Sequence, residues 1–165
     1  MLRILHVEDD KTYLAAIRVT FAGYDEDALE QVETLAAAQA RLQDTTAPAF
    51  DALLVDLRLP DARDLEAVVA LRIYGIPLVV LSATASPENL ERAAEAGAED
   101  YIVKAKIDPY HILRRIRFAC RRHEKHCEAV ASAVSASRAP FAPRRMEPSV
   151  FEALKPFITC HSIHC

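Results

Sequence analysis

Four apolar runs in this chain each end in a side chain that can do chemistry. Leu53, Leu54 and Val55 lead into Asp56, and Ile4, Leu5, His6 and Val7 lead into Glu8, Asp9 and Asp10. Leu78, Val79, Val80 and Leu81 end in Ser82, and Tyr101, Ile102 and Val103 end in Lys104. In an open parallel sheet the carboxyl ends of the strands share one edge, and ligands bind along that edge. Strands of this kind would gather acids, a hydroxyl and an ammonium that lie far apart in sequence. Carboxylates suit a hard divalent cation, and the lysine and serine suit the oxygens of a phosphoryl group.

The elements that must position these groups alternate as strand and helix, the pattern of a parallel α/β sheet. Residues 2–7 read as a buried strand. Asp10 can cap a helix that reaches about Phe21, with Tyr13, Leu14, Ile17 and Phe21 on one face and Gly23 at its end. Asp10 is read as this cap rather than as a metal ligand. A weaker strand near Ala28–Glu33 precedes an Ala-rich helix over Leu35–Gln43, and Thr45–Pro48 reads as a loop. A strand over 51–56 follows, then a helix over Asp64–Tyr74 closed by Gly75 and Pro77. After the strand at 78–82, a helix over Pro87–Ala96 begins with proline in its first turn and stops at Gly97. Asp100–Val103 is the fifth strand, and Pro109 opens a helix that runs to about Ser135.

An apolar content of 52% and a length of 165 residues indicate one folded domain with a tail. No apolar stretch approaches the ~20 residues that cross a bilayer, and the start of the chain lacks a signal-peptide layout. A cytoplasmic protein with free thiols is the expectation. Charge is unevenly distributed: residues 1–108 hold 10 Lys/Arg against 20 Asp/Glu, whereas residues 109–165 hold 10 against 4. All four cysteines, Cys120, Cys127, Cys160 and Cys165, lie in the basic part.

Taken together, the strings Ile4–Asp10, Asp51–Asp61, Pro77–Ala83 and Ala96–Lys104 resemble the response-regulator receiver domain, over roughly residues 1–122. The resemblance implies a flavodoxin-like, doubly wound five-stranded parallel sheet of order 2-1-3-4-5, with an extended C-terminal helix. Residues 123–165 then form a helical extension and tail with no recognisable output domain. By the same resemblance Asp56 is the phosphoacceptor, attacking a phosphohistidine on a histidine kinase or phosphotransfer protein. Mg²⁺ is the implied cofactor, held by Asp9, by Glu8 directly or through water, by Asp56 and by the backbone carbonyl of Arg58. Lys104 and Ser82 would bind phosphoryl oxygens, and Ser82 and Tyr101 would form the switch. Such a protein is no enzyme beyond its own phosphorylation and autodephosphorylation, and it signals by protein contact.

Three departures from the family pattern carry expectations. Ala105 stands where most receivers have proline, so the Lys104–Ala105 bond is expected to be trans. The segment Asp61, Ala62, Arg63, Asp64 lacks the glycine common there. Arg58 places a cation two residues beyond the acceptor, where it could pair with Glu8 or Asp9 or screen the phosphoryl group, with a changed dephosphorylation rate.

Rival functions use other features. A haloacid-dehalogenase-like phosphatase also uses an aspartate after a strand, but Arg58 occupies the place of its second acid. A nucleic-acid-binding regulator would use Arg114, Arg115, Arg117, Arg121, Arg122 and Lys125, which lack interleaved aromatics; the same cations could pair with acids on a twin receiver or kinase. Ile112, Ile116, Ala119, His123, His126 and Val130 have a heptad-like spacing that suggests a homodimer through the last helix. Cys160, His161, His164 and Cys165 are zinc-ligand types, but their adjacent pairing is unlike that of structural zinc sites. Cys120, His123 and Cys127 share a helix face, without implying a metal.

Overall fold

The computed structural model describes residues 2–23, 28–84, 86–104 and 109–137. In chain order the elements are β1 (Arg3–Val7), α1 (Lys11–Ala22), β2 (Ala28–Val32), α2 (Leu35–Gln43), β3 (Ala52–Asp56), β4 (Arg58–Leu59) and β5 (Ala62–Arg63). They continue with α3 (Glu66–Leu71), a 3₁₀ turn (Arg72–Tyr74), β6 (Leu78–Ser82), α4 (Pro87–Ala96), β7 (Asp100–Val103) and α5 (Pro109–Ser137). By internal packing the chain divides into two compact units, residues 1–128 and 129–165.

The main sheet has the order β2-β1-β3-β6-β7, all neighbours parallel. This is the expected doubly wound order, with the small β4–β5 hairpin inserted after the central strand. β3 and β6 are buried along their whole length, as strands covered on both faces must be. Alternation sends Leu5, Val7, Leu53, Val55 and Val80 to one face, where they meet Ala38, Val68, Leu71 and Ala93. Ile4, Leu54, Val79 and Leu81 face the other way, against Ile17 and Phe21 of α1 and Ile112, Ile116 and Ala119 of α5.

Local chemistry sets the helix boundaries. Asp10 accepts bonds from the Thr12 and Tyr13 amides, Thr34 caps Ala37, and Ser86 caps Asn89. The Tyr13 amide, and then that of Thr12, also hold the Asp10 carboxyl below its ordinary value. Gly97 ends α4 with φ +107°, a left-handed conformation that glycine adopts without strain.

Two expectations change. The helix foreseen over Asp64–Tyr74 begins later and ends as a 3₁₀ turn, because Asp64 has φ +50° and cannot sit inside a helix. Aspartate tolerates that region better than most residues, so Asp64 does the backbone work of the absent glycine. Its carboxylate pairs with Arg92 of α4. The second change concerns the proposed dimer seam. Ile112, Ile116 and Ala119 are at most 1% exposed and lie against their own sheet. A stripe of 3.5 spacing and one of 3.6 spacing coincide over two or three turns, so the sequence could not tell a partner helix from the domain's own core. Of that stripe only His126 and Val130 are exposed, Val130 at 49%, with His123 half-buried.

Candidate functional site

Each strand end delivers its reactive group to one edge. β1 ends one residue before Glu8, which is wholly buried, and β3 ends in Asp56, 3% exposed. β7 ends one residue before Lys104, whose ammonium lies 2.5 Å from Glu8 Oε2 and 3.1 Å from Asp56 Oδ2. Asp9 is exposed, and oxygens of Glu8, Asp9 and Asp56 lie within 4.8 Å of one another. These groups, with Asp10 and Arg58, line an open cavity of about 320 Å³.

The charges do not balance. Burial raises the Glu8 carboxyl above its ordinary value of 4.5; Lys104 opposes this and the Asp56 charge reinforces it. One ammonium faces three clustered carboxylates, so further positive charge is electrostatically favoured here. The donors are hard oxygens, the set that Mg²⁺ or Ca²⁺ takes. The residues present therefore fit a divalent cation. Among the described residues this is the one cluster of His, Cys, Asp or Glu side chains with that potential.

Tyr13 and Thr84 belong to the site although sequence reasoning gave neither a role there. The Lys104 ammonium sits 4.5 Å from the centroid of the Tyr13 ring, and the Tyr13 hydroxyl bonds the Lys104 carbonyl at 3.4 Å. Burial, then the charges of Glu8 and Asp56, push the Tyr13 hydroxyl up to about 12. Ser82 Oγ accepts the Thr84 amide and lies 3.3 Å from its hydroxyl. Tyr101 is buried and donates from its hydroxyl to the Thr84 carbonyl at 2.8 Å. Ser82 and Tyr101 thus converge on the same residue of the β6–α4 loop. The only forward signal for Tyr13 was its place on the apolar face of α1; Thr84 offered none.

Arg58 lines the cavity but pairs with neither Glu8 nor Asp9; among the described residues, Lys104 is the cation that Glu8 holds. The Lys104–Ala105 bond lies outside the described residues, as do Cys160, His161, His164 and Cys165. Beneath the site, His6 Nδ1 meets the Gln31 amide nitrogen at 3.2 Å, while Nε2 is buried with no hydrogen-bond partner. Gln31 donates to the Leu14 carbonyl and accepts from Arg18, which fixes the amide orientation and leaves the His6 proton on Nε2. Burial and then Lys104 lower His6 to about 3, so it is a neutral core residue.

The basic side chains of α5 divide. Arg115 makes a bidentate pair with Asp100, and Arg122 bonds the Glu99 carbonyl at 2.7 Å. Arg114 lies over the Phe118 ring at 5.4 Å from its centroid. Cys120 and Cys127 are free thiols, one buried and one exposed. No described helix is long and apolar enough to cross a membrane.

Residues 4–117 match the family model of the response regulator receiver domain. The chain is 33% identical over 127 residues to the KDP operon transcriptional regulatory protein KdpE of Escherichia coli (strain K12), covering 74% of this chain and 53% of that protein. It is 30% identical over 139 residues to the cell cycle response regulator CtrA of Brucella ovis, covering 78% of this chain and 54% of that one. A CheY-like receiver domain structure from Methanospirillum hungatei JF-1 superposes with a TM-score of 0.64 at 26% identity, over 76% of this chain and 98% of that one. The chain belongs to the response regulator receiver family, the signalling module of two-component systems. It spans about half the length of the curated relatives it matches.

Proposed function

We propose that this receiver accepts a phosphoryl group on Asp56 from a phosphohistidine of a histidine kinase or phosphotransfer protein. The observation that carries the reading is the buried Asp56 carboxylate at the end of the central strand, 3.1 Å from Lys104 and grouped with Glu8 and Asp9. An Asp56 oxygen attacks phosphorus in line, the O–P bond forms, and the P–N bond breaks as the electron pair returns to the histidine ring. Phosphoryl transfer asks the protein mainly for position and charge. Lys104 leaves the carboxylates to neutralise a phosphoryl oxygen, and Ser82 donates to another. Glu8, Asp9, Asp56 and the Arg58 carbonyl would hold Mg²⁺. When bound, the ion supplies a second positive centre for the phosphoryl oxygens.

The Ser82–Thr84–Tyr101 arrangement supports a route outward. When Ser82 turns toward the phosphoryl group it loosens the Thr84 end of the β6–α4 loop, to which the Tyr101 hydroxyl is bonded. The altered surface around α4, β7 and α5 is then read by a protein partner. The domain boundary fits this reading if residues 1–122 form the receiver and 123–165 an extension.

Incubation with acetyl phosphate and Mg²⁺, followed by intact-mass measurement, tests the proposal. One hydroxylamine-labile phosphoryl adduct is expected in the wild type and none in Asp56→Asn. An unchanged adduct in Asp56→Asn, or none in the wild type, overturns it.

A further inference from the structure

The hairpin that follows Asp56 is held at its tip by a residue with no assigned role. Leu59 and Ala62 are paired and buried, and Asp61 lies in the two-residue turn between them. Its two carboxylate oxygens reach another element: Oδ1 accepts the Leu35 amide at 2.8 Å and Oδ2 the Ala36 amide at 2.9 Å. These are the first two residues of α2. The next two amides are satisfied by Thr34, through its hydroxyl to Ala37 at 3.0 Å and its carbonyl to Ala38 at 3.1 Å. Of the three amides left open at the start of α2, two thus go to an aspartate 25 or 26 residues further along the chain and one to the helix's own cap hydroxyl, while the Thr34 carbonyl takes the first bond of the helix itself.

The consequence for the site is mechanical. Arg58 is two residues from Asp56, pairs with Arg63 at the open end of the hairpin and lines the acid-rich cavity. One end of the hairpin is fixed by its covalent link to β3. Its exit is fixed by the Arg63 amide on Glu66 at 2.9 Å and by the Asp64–Arg92 pair. Asp61 supplies the anchor at the far tip. Desolvation acts against it, but the Ala36 and Leu35 amides hold its carboxyl below the ordinary value, so the charged acceptor is the form retained.

We propose that Asp61 is a positioning residue for the chemistry at Asp56: its bidentate bond to the α2 amides fixes the hairpin, and so the placement of Arg58 beside Glu8, Asp9 and Asp56. The inference rests on the phosphoacceptor reading above. It differs from a merely structural role, in which Asp61 would stabilise α2 without affecting the cation site.

The test compares full-length wild type, Asp61→Ala and Asp61→Asn, the last retaining one acceptor oxygen. Mg²⁺ binding is measured by calorimetry, and phosphorylation by acetyl phosphate is followed across Mg²⁺ concentration. In Asp61→Ala the Mg²⁺ dissociation constant and the half-saturating Mg²⁺ concentration should each rise about fivefold or more, with the saturating rate within about twofold of wild type. Asp61→Asn should fall between the two. Unchanged Mg²⁺ dependence alongside faster hydrogen exchange at Leu35 and Ala36 overturns the inference, because Asp61 then serves only α2. If Asp61→Ala does not fold, Asp61→Asn decides: a raised Mg²⁺ requirement supports the inference and a wild-type one overturns it. A wild type that binds Mg²⁺ but forms no adduct would remove the phosphoacceptor reading, while the calorimetric comparison would still judge Asp61.

Discussion

The two edges of the central sheet carry similar side chains arranged to opposite ends. At the amino edge, Asp100 has a bidentate arginine, Arg115, and Glu99 meets His123 Nδ1 at 3.1 Å, with Arg122 close by. The other His123 nitrogen bonds the Gly75 carbonyl at 2.9 Å. Two acids there have three basic side chains of α5 around them. At the carboxyl edge Glu8 and Asp56 share one lysine, with the exposed Asp9 beside them, and Glu8 is completely buried. The amino edge is matched and partly solvated, as an arrangement that fastens a helix should be. The carboxyl edge is underneutralised, with Glu8 and Asp56 buried, so an added cation is electrostatically favoured there. Charge balance distinguishes the two edges more clearly than residue type does.

Removing Lys104 should break the comparison most severely. Lys104→Met leaves Glu8 and Asp56 without their cation, and losing one partner of a buried pair costs about 3 kcal/mol. Urea unfolding at neutral pH with a chelator present should show that loss, and added Mg²⁺ should recover part of it. A midpoint equal to wild type would show that the cluster is not short of positive charge.

Glu8→Gln should act in the opposite direction. A carboxyl whose folded value is raised favours the folded state below its unfolded value, and that advantage is lost as pH rises through the folded value. Replacing it with a neutral amide should therefore stabilise the chelated protein by on the order of 1 kcal/mol at pH 7. The gain should fade as pH falls through the raised folded value and be gone below the ordinary carboxyl value of about 4.5. Thermal melts across that pH range check both the sign and its disappearance.

The smallest effect belongs to the amino edge. Arg115 is 45% exposed, so Arg115→Ala should cost only about 0.5 kcal/mol and lose part of even that at high salt. A loss as large as that of Lys104→Met, measured in the same urea series, would erase the distinction between the edges.

The sequence carried the architecture because its local signals are strong. Pro87 and Gly97 punctuate α4, and both α2 and α4 begin and end at the residues expected. The strand ends that define the site were legible as apolar runs closed by Glu8, Asp56, Ser82 and Lys104. What escaped was non-local or very short. Strands of two residues, as in β4 and β5, are too brief to show a period of two. The left-handed Asp64 had no marker, since aspartate is unremarkable in ordinary backbone. Lys104 was expected to face a phosphoryl oxygen, and its bond to Glu8 depends on how β1 and β7 are spaced across the sheet. Arg115 and Arg122 read as a basic stripe for a partner because their acids, Asp100 and Glu99, lie on the other side of the β7–α5 connection.

The chain has five tyrosines and no tryptophan. One of those tyrosines lies beneath the Lys104 ammonium and another ends on the Thr84 carbonyl. The ultraviolet absorption and emission of the protein thus originate partly within the site, with no brighter chromophore to mask them. A lysine leaving the Tyr13 ring, or a Tyr101 hydroxyl leaving its carbonyl, changes the polarity around a native fluorophore. The receiver carries its own optical probe, placed at both ends of the path from acid cluster to surface.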